Sequence, residues 1–154
     1  MTEVRRIIFV DENGISRAPM AKALFTRVTG NSSVEVLCRG LVVAFPEPLN
    51  QKAEAVMISN EIEVSDFTSE ELMDEDITDE TLVFTMDRTM QQQVLSRFAH
   101  ATEDNTFVLG YYVGDELETM DPYGGSLQTY GLCFETLKET VVKLFHKLQE
   151  EGQL

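Results

Sequence analysis

A four-stranded parallel β-sheet with helices on both faces, a three-layer α/β architecture, is the fold this sequence predicts. Two observations carry that expectation. Short runs of β-branched and aromatic residues alternate with segments whose apolar residues recur at helical spacing, and strands separated by helices pair in parallel. The 154 residues also suit one compact domain over 1–154 with a sizeable core. No internal repeat, linker or low-complexity segment divides them.

The elements follow in order. Arg6 to Val10 is a short apolar run of the kind buried on both sheet faces. Ala18 to Val28 places Met20, Ala21, Leu24, Phe25 and Val28 on one helical face, with Pro19 in the first turn and Gly30 and Asn31 as the stop. "VEVLCRGLVV", residues 34–43, is a second strand, followed by the turn-rich "AFPEPLN" and a helix over Gln51 to Ser59. A short helix is expected near Ser69 to Met73, capped by Thr68 or Ser69. "TLVFTMD", 81–87, is a third strand and 88–99 a third main helix. "TFVLGYYV", 106–113, is the last strand, "DPYGGS" a turn cluster, and Leu127 to Gln149 a long amphipathic helix. Leu132, Leu137, Val141, Leu144, Phe145 and Leu148 form its expected core stripe.

Composition narrows the function classes. A formal net charge of −15 argues against nucleic acid, because phosphate contacts need clustered Lys and Arg. Much of the excess lies in residues 61–80, read as a solvated acidic face, with a basic partner as the alternative. No apolar run approaches the ~20 residues that span a bilayer, and the amino terminus lacks a signal-peptide pattern. A cytoplasmic location without membrane contact is the default expectation. Cys38 and Cys133 lack zinc-site spacing and read as buried, reduced thiols. His100 and His146 have no paired ligand, and the seven methionines read as packing. Neither a cofactor nor a resident metal is expected.

In an open parallel sheet, ligands bind at the carboxyl ends of the strands. The loop after the first strand lies at such an end, as do Asp87 and the loop carrying Asp121. That first loop, "DENGISRAP", joins a buried strand to a helix opened by proline, a shape suited to an anion. It nevertheless carries two acidic residues, Asp11 and Glu12.

The stretch "IIFVDENGISRAPMAKALF" resembles the phosphate-binding loop and first helix of the low-molecular-weight protein tyrosine phosphatases, a family that includes arsenate reductases of the same fold. The pattern there is strand, C-x5-R-[ST]-P, helix. "DPYGGSLQTYGLCFETLKETV", residues 121–141, resembles the family's Asp-Pro-Tyr loop and carboxy-terminal helix. With the element order between them, the resemblance covers essentially the whole chain and implies the phosphotyrosine phosphatase I-like fold. It implies a phosphate loop of Glu12, Asn13, Gly14, Ile15, Ser16 and Ala18, with Asp11 at the nucleophile position, Arg17 as the phosphate-binding arginine and Asp121 as the general acid. Tyr123 either lines the groove mouth or covers the core edge, and Asp121 alternatively caps a turn with Pro122.

The departures fall on the catalytic loop. Asp11 stands where the family has its cysteine, Asn13-Gly14 where Gly-Asn is common, Ser16 where many members have a second cysteine, and Ala18 where a hydroxyl residue activates the thiolate. A carboxylate is a weak nucleophile, and aspartyl-phosphate enzymes rely on a metal ion. It also repels a phosphate: unit charges ~4 Å apart at an effective dielectric near 20 repel by ~4 kcal/mol, roughly a thousandfold in affinity. Asp11 is therefore expected to be ionised, its pKa lowered by loop N–H groups and by an ion pair with Arg17, and to occupy the loop in place of phosphate. The expected function is a phosphatase-fold pseudoenzyme, with a phosphoprotein or other protein as partner and its oligomeric state open. The alternative is an enzyme in which Asp11 becomes phosphorylated, with Arg17 binding phosphate and Asp121 as acid, or in which Asp11, Glu12 and one of Asp87 or Asp121 hold Mg²⁺.

Overall fold

The computed structural model describes residues 3–30 and 32–154. The chain runs β1 (Arg6–Asp11), α1 (Arg17–Thr29), β2 (Glu35–Gly40), α2 (Gln51–Ser59), a 3-10 turn (Asp74–Asp76), β3 (Thr81–Thr85), α3 (Arg88–Arg97), β4 (Thr106–Val108), α4 (Leu109–Tyr112) and α5 (Leu127–Glu150). All four strands are parallel, in the order β2-β1-β3-β4. The chain therefore reverses direction across the sheet after β2, and the switch point lies at the carboxyl end of β1.

Helices cover both faces. Right-handed connections put helices on opposite faces when the chain changes direction across the sheet. α1 packs with α5 on one face, and α2, although it lies in the connection that reverses direction after β2, joins them there. On the other, the end of α3 meets the 3-10 turn, where His100 N–H donates to Asp74. The central strands are apolar on both sides: Ile7, Ile8, Phe9 and Val10 are fully buried, as are Val83 and Phe84. Phe9 meets Phe25 of α1 edge-on at 5.7 Å and lies 6.1 Å from Phe84, so a single apolar cluster joins sheet and helices.

Several elements differ from the sequence expectation, each for a local reason. Gly30, at φ 60°, ends α1 as expected, while Asn31 lies outside the described residues. The second strand stops at Gly40 rather than running to residue 43, because Leu41 and Val42 turn their N–H groups to the carbonyls of Asp11 and Glu12. No helix forms over Ser69 to Met73. That segment runs extended beside the end of β2, with Gly40 N–H donating to Glu70 O and Leu72 N–H to Gly40 O. Ser69 accepts from the Glu47 N–H instead of capping a helix, and a single 3-10 turn follows at Asp74–Asp76.

The third strand ends at Thr85, freeing Asp87 to cap α3 by accepting from Met90 N–H. The last strand is only three residues long, and 109–112 coil into α4. This carries Tyr112 over Phe107 at 4.6 Å, where an extended chain would continue along the sheet edge. On α5, Leu132 faces solvent at 60% exposure, and the core stripe is Tyr130, Cys133, Phe134, Leu137, Val141, Leu144 and Leu148. Leu132 is one residue out of phase with that stripe, about 100° around the helix from Cys133.

Gly40 sets how closely the loop after β1 approaches β2. A Cβ there would lie 2.5 Å from the Asn13 carbonyl carbon and 2.7 Å from the Gly14 nitrogen, both backbone atoms that cannot step aside. Gly40→Ala is therefore expected to destabilise the fold by about 1–3 kcal/mol. Gly131→Ala, on α5 with nothing within 4 Å, is expected to stabilise by about 0.5–1 kcal/mol. Urea unfolding of the two variants checks the opposite signs.

Candidate functional site

Residues 11–17 wrap a cavity at the sheet switch point. Their carbonyls point outward: Asp11 O accepts from Leu41 N–H, Glu12 O from Val42 N–H, Ile15 O from Asn50 N–H, and Ser16 O from Met20 N–H. With the carbonyls tied to the scaffold, the amide hydrogens are left for the interior of the loop. Among the described residues, the N–H groups of Glu12, Asn13, Ile15 and Arg17 donate no hydrogen bond within the protein. Gly14 makes this winding feasible with φ 76°, a conformation that disfavours other residues.

Asp11 forms the floor. It is 2% exposed; Oδ1 accepts from Gly14 N–H and Oδ2 from Ala18 N–H at 2.9 Å. The second bond caps α1, whose N-cap residue Ser16 makes no side-chain cap of its own. Burial pushes the Asp11 carboxyl above its ordinary value of 3.8, outweighing the N–H groups of Ala18 and Gly14, the Arg17 charge and the Ser16 N–H, which all act downward. This corrects the expectation of a lowered pKa: the donors are present, but removal from water wins.

Arg17 does not pair with Asp11. It is 3% exposed; one guanidinium nitrogen donates to the Thr119 carbonyl at 3.0 Å and another lies 3.7 Å from Asp121 Oδ2. Its Nε is buried without a partner. The acceptor on Thr119 belongs to the backbone, so no side-chain signal in the sequence pointed to it. Thr119 is itself held by a bond from its N–H to Met86 O beyond β3. Asp121 uses its other oxygen to accept from Tyr123 N–H at 3.0 Å, the turn-capping geometry. Tyr123 is 82% exposed at the cavity mouth and does not cover the core.

The resulting cavity, about 340 Å³, is lined by Asp11, Glu12, Asn13, Ser16, Arg17, Asp121 and Tyr123. It remains open above the Asp11 carboxylate, so the expectation that this side chain occupies the loop holds only at the floor. No His or Lys lines it. Cys38 and Cys133 are buried near the floor without lining the cavity, and burial pushes both thiols up to about 11. Asp87 is spent on the cap of α3, and the described residues contain no group of three or more His, Cys, Asp or Glu arranged to hold a metal ion. The Mg²⁺ set of the alternative reading is thus not assembled. None of the helices described is long and apolar enough to cross a membrane.

Known proteins share the sequence pattern and the fold. The sequence pattern described as "Low molecular weight phosphotyrosine protein phosphatase" matches residues 6–154. A protein-arginine-phosphatase of Geobacillus stearothermophilus is 31% identical over 147 residues, spanning 95% of this chain and 97% of its own. A low molecular weight protein-tyrosine-phosphatase of Staphylococcus epidermidis is 24% identical, over 92% of this chain and 98% of its own. The crystal structure of a low molecular weight protein tyrosine phosphatase from T. tengcongensis superposes with a TM-score of 0.85 at 28% identity, over 93% of this chain and 99% of that one.

The upward shift of Asp11 makes a signed prediction. A carboxyl that holds its proton more tightly when folded adds stability as pH falls from neutrality through its folded pKa toward 3.8. Asp11→Ser lacks that gain. The Tm difference, wild type minus variant, is expected to grow as pH is lowered from about 7.5 to about 5. Thermal melts measure it, and a shrinking difference would mean that the loop donors dominate after all.

Proposed function

The chain belongs to the low molecular weight phosphotyrosine protein phosphatase family, and on that premise we propose that it is a catalytically inactive member that serves as a binding module. The observation that carries this reading is the buried carboxylate of Asp11 at the end of β1, with each oxygen engaged by a backbone N–H. In the family mechanism a thiolate at this position attacks phosphorus. A carboxylate fixed by two donors is a weak nucleophile, since each bond withdraws electron density that the attack requires. No other thiol takes its place, because Cys38 and Cys133 do not line the cavity and are held neutral by burial. Ala18 fits the same reading: without a thiolate there is nothing for a hydroxyl at that position to activate.

The remaining machinery supports a binding role. Arg17 is fixed by Thr119 and Asp121 in a buried position on the cavity wall, and a guanidinium held in this way keeps its charge at every relevant pH. The aspartyl-phosphate alternative has less support, because the acidic groups needed to hold a metal beside Asp11 are dispersed or already committed. The relatives are named for phosphotyrosine and phosphoarginine chemistry, so both substrate types belong in the test.

The unmodified chain is expected to show no hydrolysis of an aryl phosphate or a phosphoarginine peptide. Asp11→Cys combined with Ala18→Ser is expected to gain turnover by a factor of at least about 10³, the scale of a recovered nucleophile. Steady-state assays between about pH 5 and 7, a range suited to a general acid and a thiolate, decide the matter. Turnover by the unmodified chain that disappears in Asp11→Ala would replace this reading with the aspartyl-phosphate one.

A further inference from the structure

We propose that the loop over residues 11–17 binds a tetrahedral oxyanion together with one proton, and that the proton resides on Asp11. This deepens the binding role proposed above and rests on Asp11 not being a nucleophile.

The cavity presents donors that lack acceptors. The N–H groups of Glu12, Asn13, Ile15 and Arg17 are unpaired among the described residues. The Arg17 Nε is buried, unpartnered, and belongs to a side chain that lines the cavity. A buried donor without a partner, such as this Nε, is costly and rare in folded proteins. All of these groups donate, so the ligand that satisfies them must accept hydrogen bonds on several sides, as a sulfate or phosphoryl group does. The cavity of about 340 Å³ has room for such a group and part of what carries it.

The obstacle lies directly beneath. An ionised Asp11 at the floor faces the same space and repels the anion that the donors attract. A proton on one Asp11 oxygen removes that repulsion and adds a donor: the carboxyl O–H can hydrogen-bond to the anion while the other oxygen still accepts from a loop N–H. Burial already favours the protonated carboxyl, and an anion above it favours that form further, because linkage between two sites is reciprocal. The other charged or titratable groups facing this floor are few. The loop brings Glu12 and α1 brings Arg17; β2 brings Cys38 and α5 brings Cys133, both neutral thiols; the loop before α5 brings Asp121 and Tyr123. Arg17 stays charged, which leaves Glu12 and Asp121 as the groups whose titration must be separated from that of Asp11.

Sulfate is the appropriate probe, since it keeps its double charge across the range where carboxyls titrate. Binding is measured by calorimetry and by amide shifts of Glu12, Asn13 and Ile15 from about pH 7.5 to about pH 5, above the isoelectric point near 4.4. The net charge of −15 weakens as pH falls and raises anion affinity in every variant, so the readout is the slope relative to variants. Wild-type affinity is expected to rise more steeply than that of Asp11→Asn or Asp11→Ser by one linked proton, up to about tenfold per pH unit. At pH 7.5 both variants bind sulfate more tightly than wild type does. Glu12→Gln and Asp121→Asn change the affinity but keep the steep slope. A sulfotyrosyl peptide run in parallel identifies the source of the group: tighter binding of the peptide assigns it to a polypeptide, tighter binding of sulfate to a free anion, and either supports the proposal if the steep slope is present. Equal slopes in wild type and both Asp11 variants overturn it, as does failure of folded Asp11→Asn and Asp11→Ser to bind sulfate at any pH. Phosphate ester turnover, measured separately, tests the inactive reading on which this one rests, so a failure there is told apart from a failure of the proton linkage.

Discussion

Two hydrogen bonds, from the Gly14 and Ala18 N–H groups onto the carboxylate of Asp11, tie the end of β1 to the start of α1. The geometry of the site depends on them. They close the loop around its own floor, and they satisfy one of the amides that a helix leaves unpaired at its first turn. Because that floor is buried, the same contact confines an ionisable group where little water reaches it. The carboxylate is thus both the clasp that shapes the loop and the ionisable group at the floor of the cavity.

Arg17 shows how the rest of the site adapts to that clasp. A guanidinium next to a buried acid would be expected to pair with it, and an ion pair of that kind would pull the acid's pKa down. Instead the side chain reaches across to Thr119 and Asp121. The loop before α5 is thereby fastened to the loop after β1, and the strongest countercharge acts on Asp11 without direct contact. Desolvation then outweighs it. The charge balance of the cavity is set less by which residues are present than by which of them touch.

This explains what the sequence made legible. Parallel order, helix faces and the site's location at the switch point rest on periodicity and topology, which are properties of runs of residues. The helix over Gln51 to Ser59 is of that kind. The errors fall where a single contact decides. The expected helix at Ser69 to Met73 gives way to an extended segment because Gly40 offers both its N–H and its carbonyl to the passing chain. Leu132 faces water because α5 is phased by Tyr130, Cys133 and Phe134. The expected Arg17–Asp11 pair rests on the place of Arg17 at the helix start, whereas the carbonyl that holds Arg17 lies 102 positions away. Gly40 did leave a signal, since a glycine inside a strand pattern often marks close approach of another backbone.

The open donors above Asp11 bear on what a loop of this kind does with a carboxylate at its floor. Had the carboxylate substituted fully for a bound phosphate, it would have drawn in the whole ring of amides, and the cavity would have closed over it. A side chain attached at the floor does not do this: its two oxygens meet Gly14 and Ala18, whereas the N–H groups of Glu12, Asn13 and Ile15 have no partner within the protein among the described residues. The reach of an aspartate therefore leaves the upper half of the cradle unsatisfied whatever its charge state. That remainder is acceptor-seeking and lined by a fixed guanidinium, and it rests on an acid that burial has made ready to take a proton. A site built in this way discriminates by charge: it excludes an anion while its floor is ionised and admits one when the floor is neutral. On the proposed reading, the two N–H bonds that make a poor nucleophile of Asp11 also hold it where it acts as a gate.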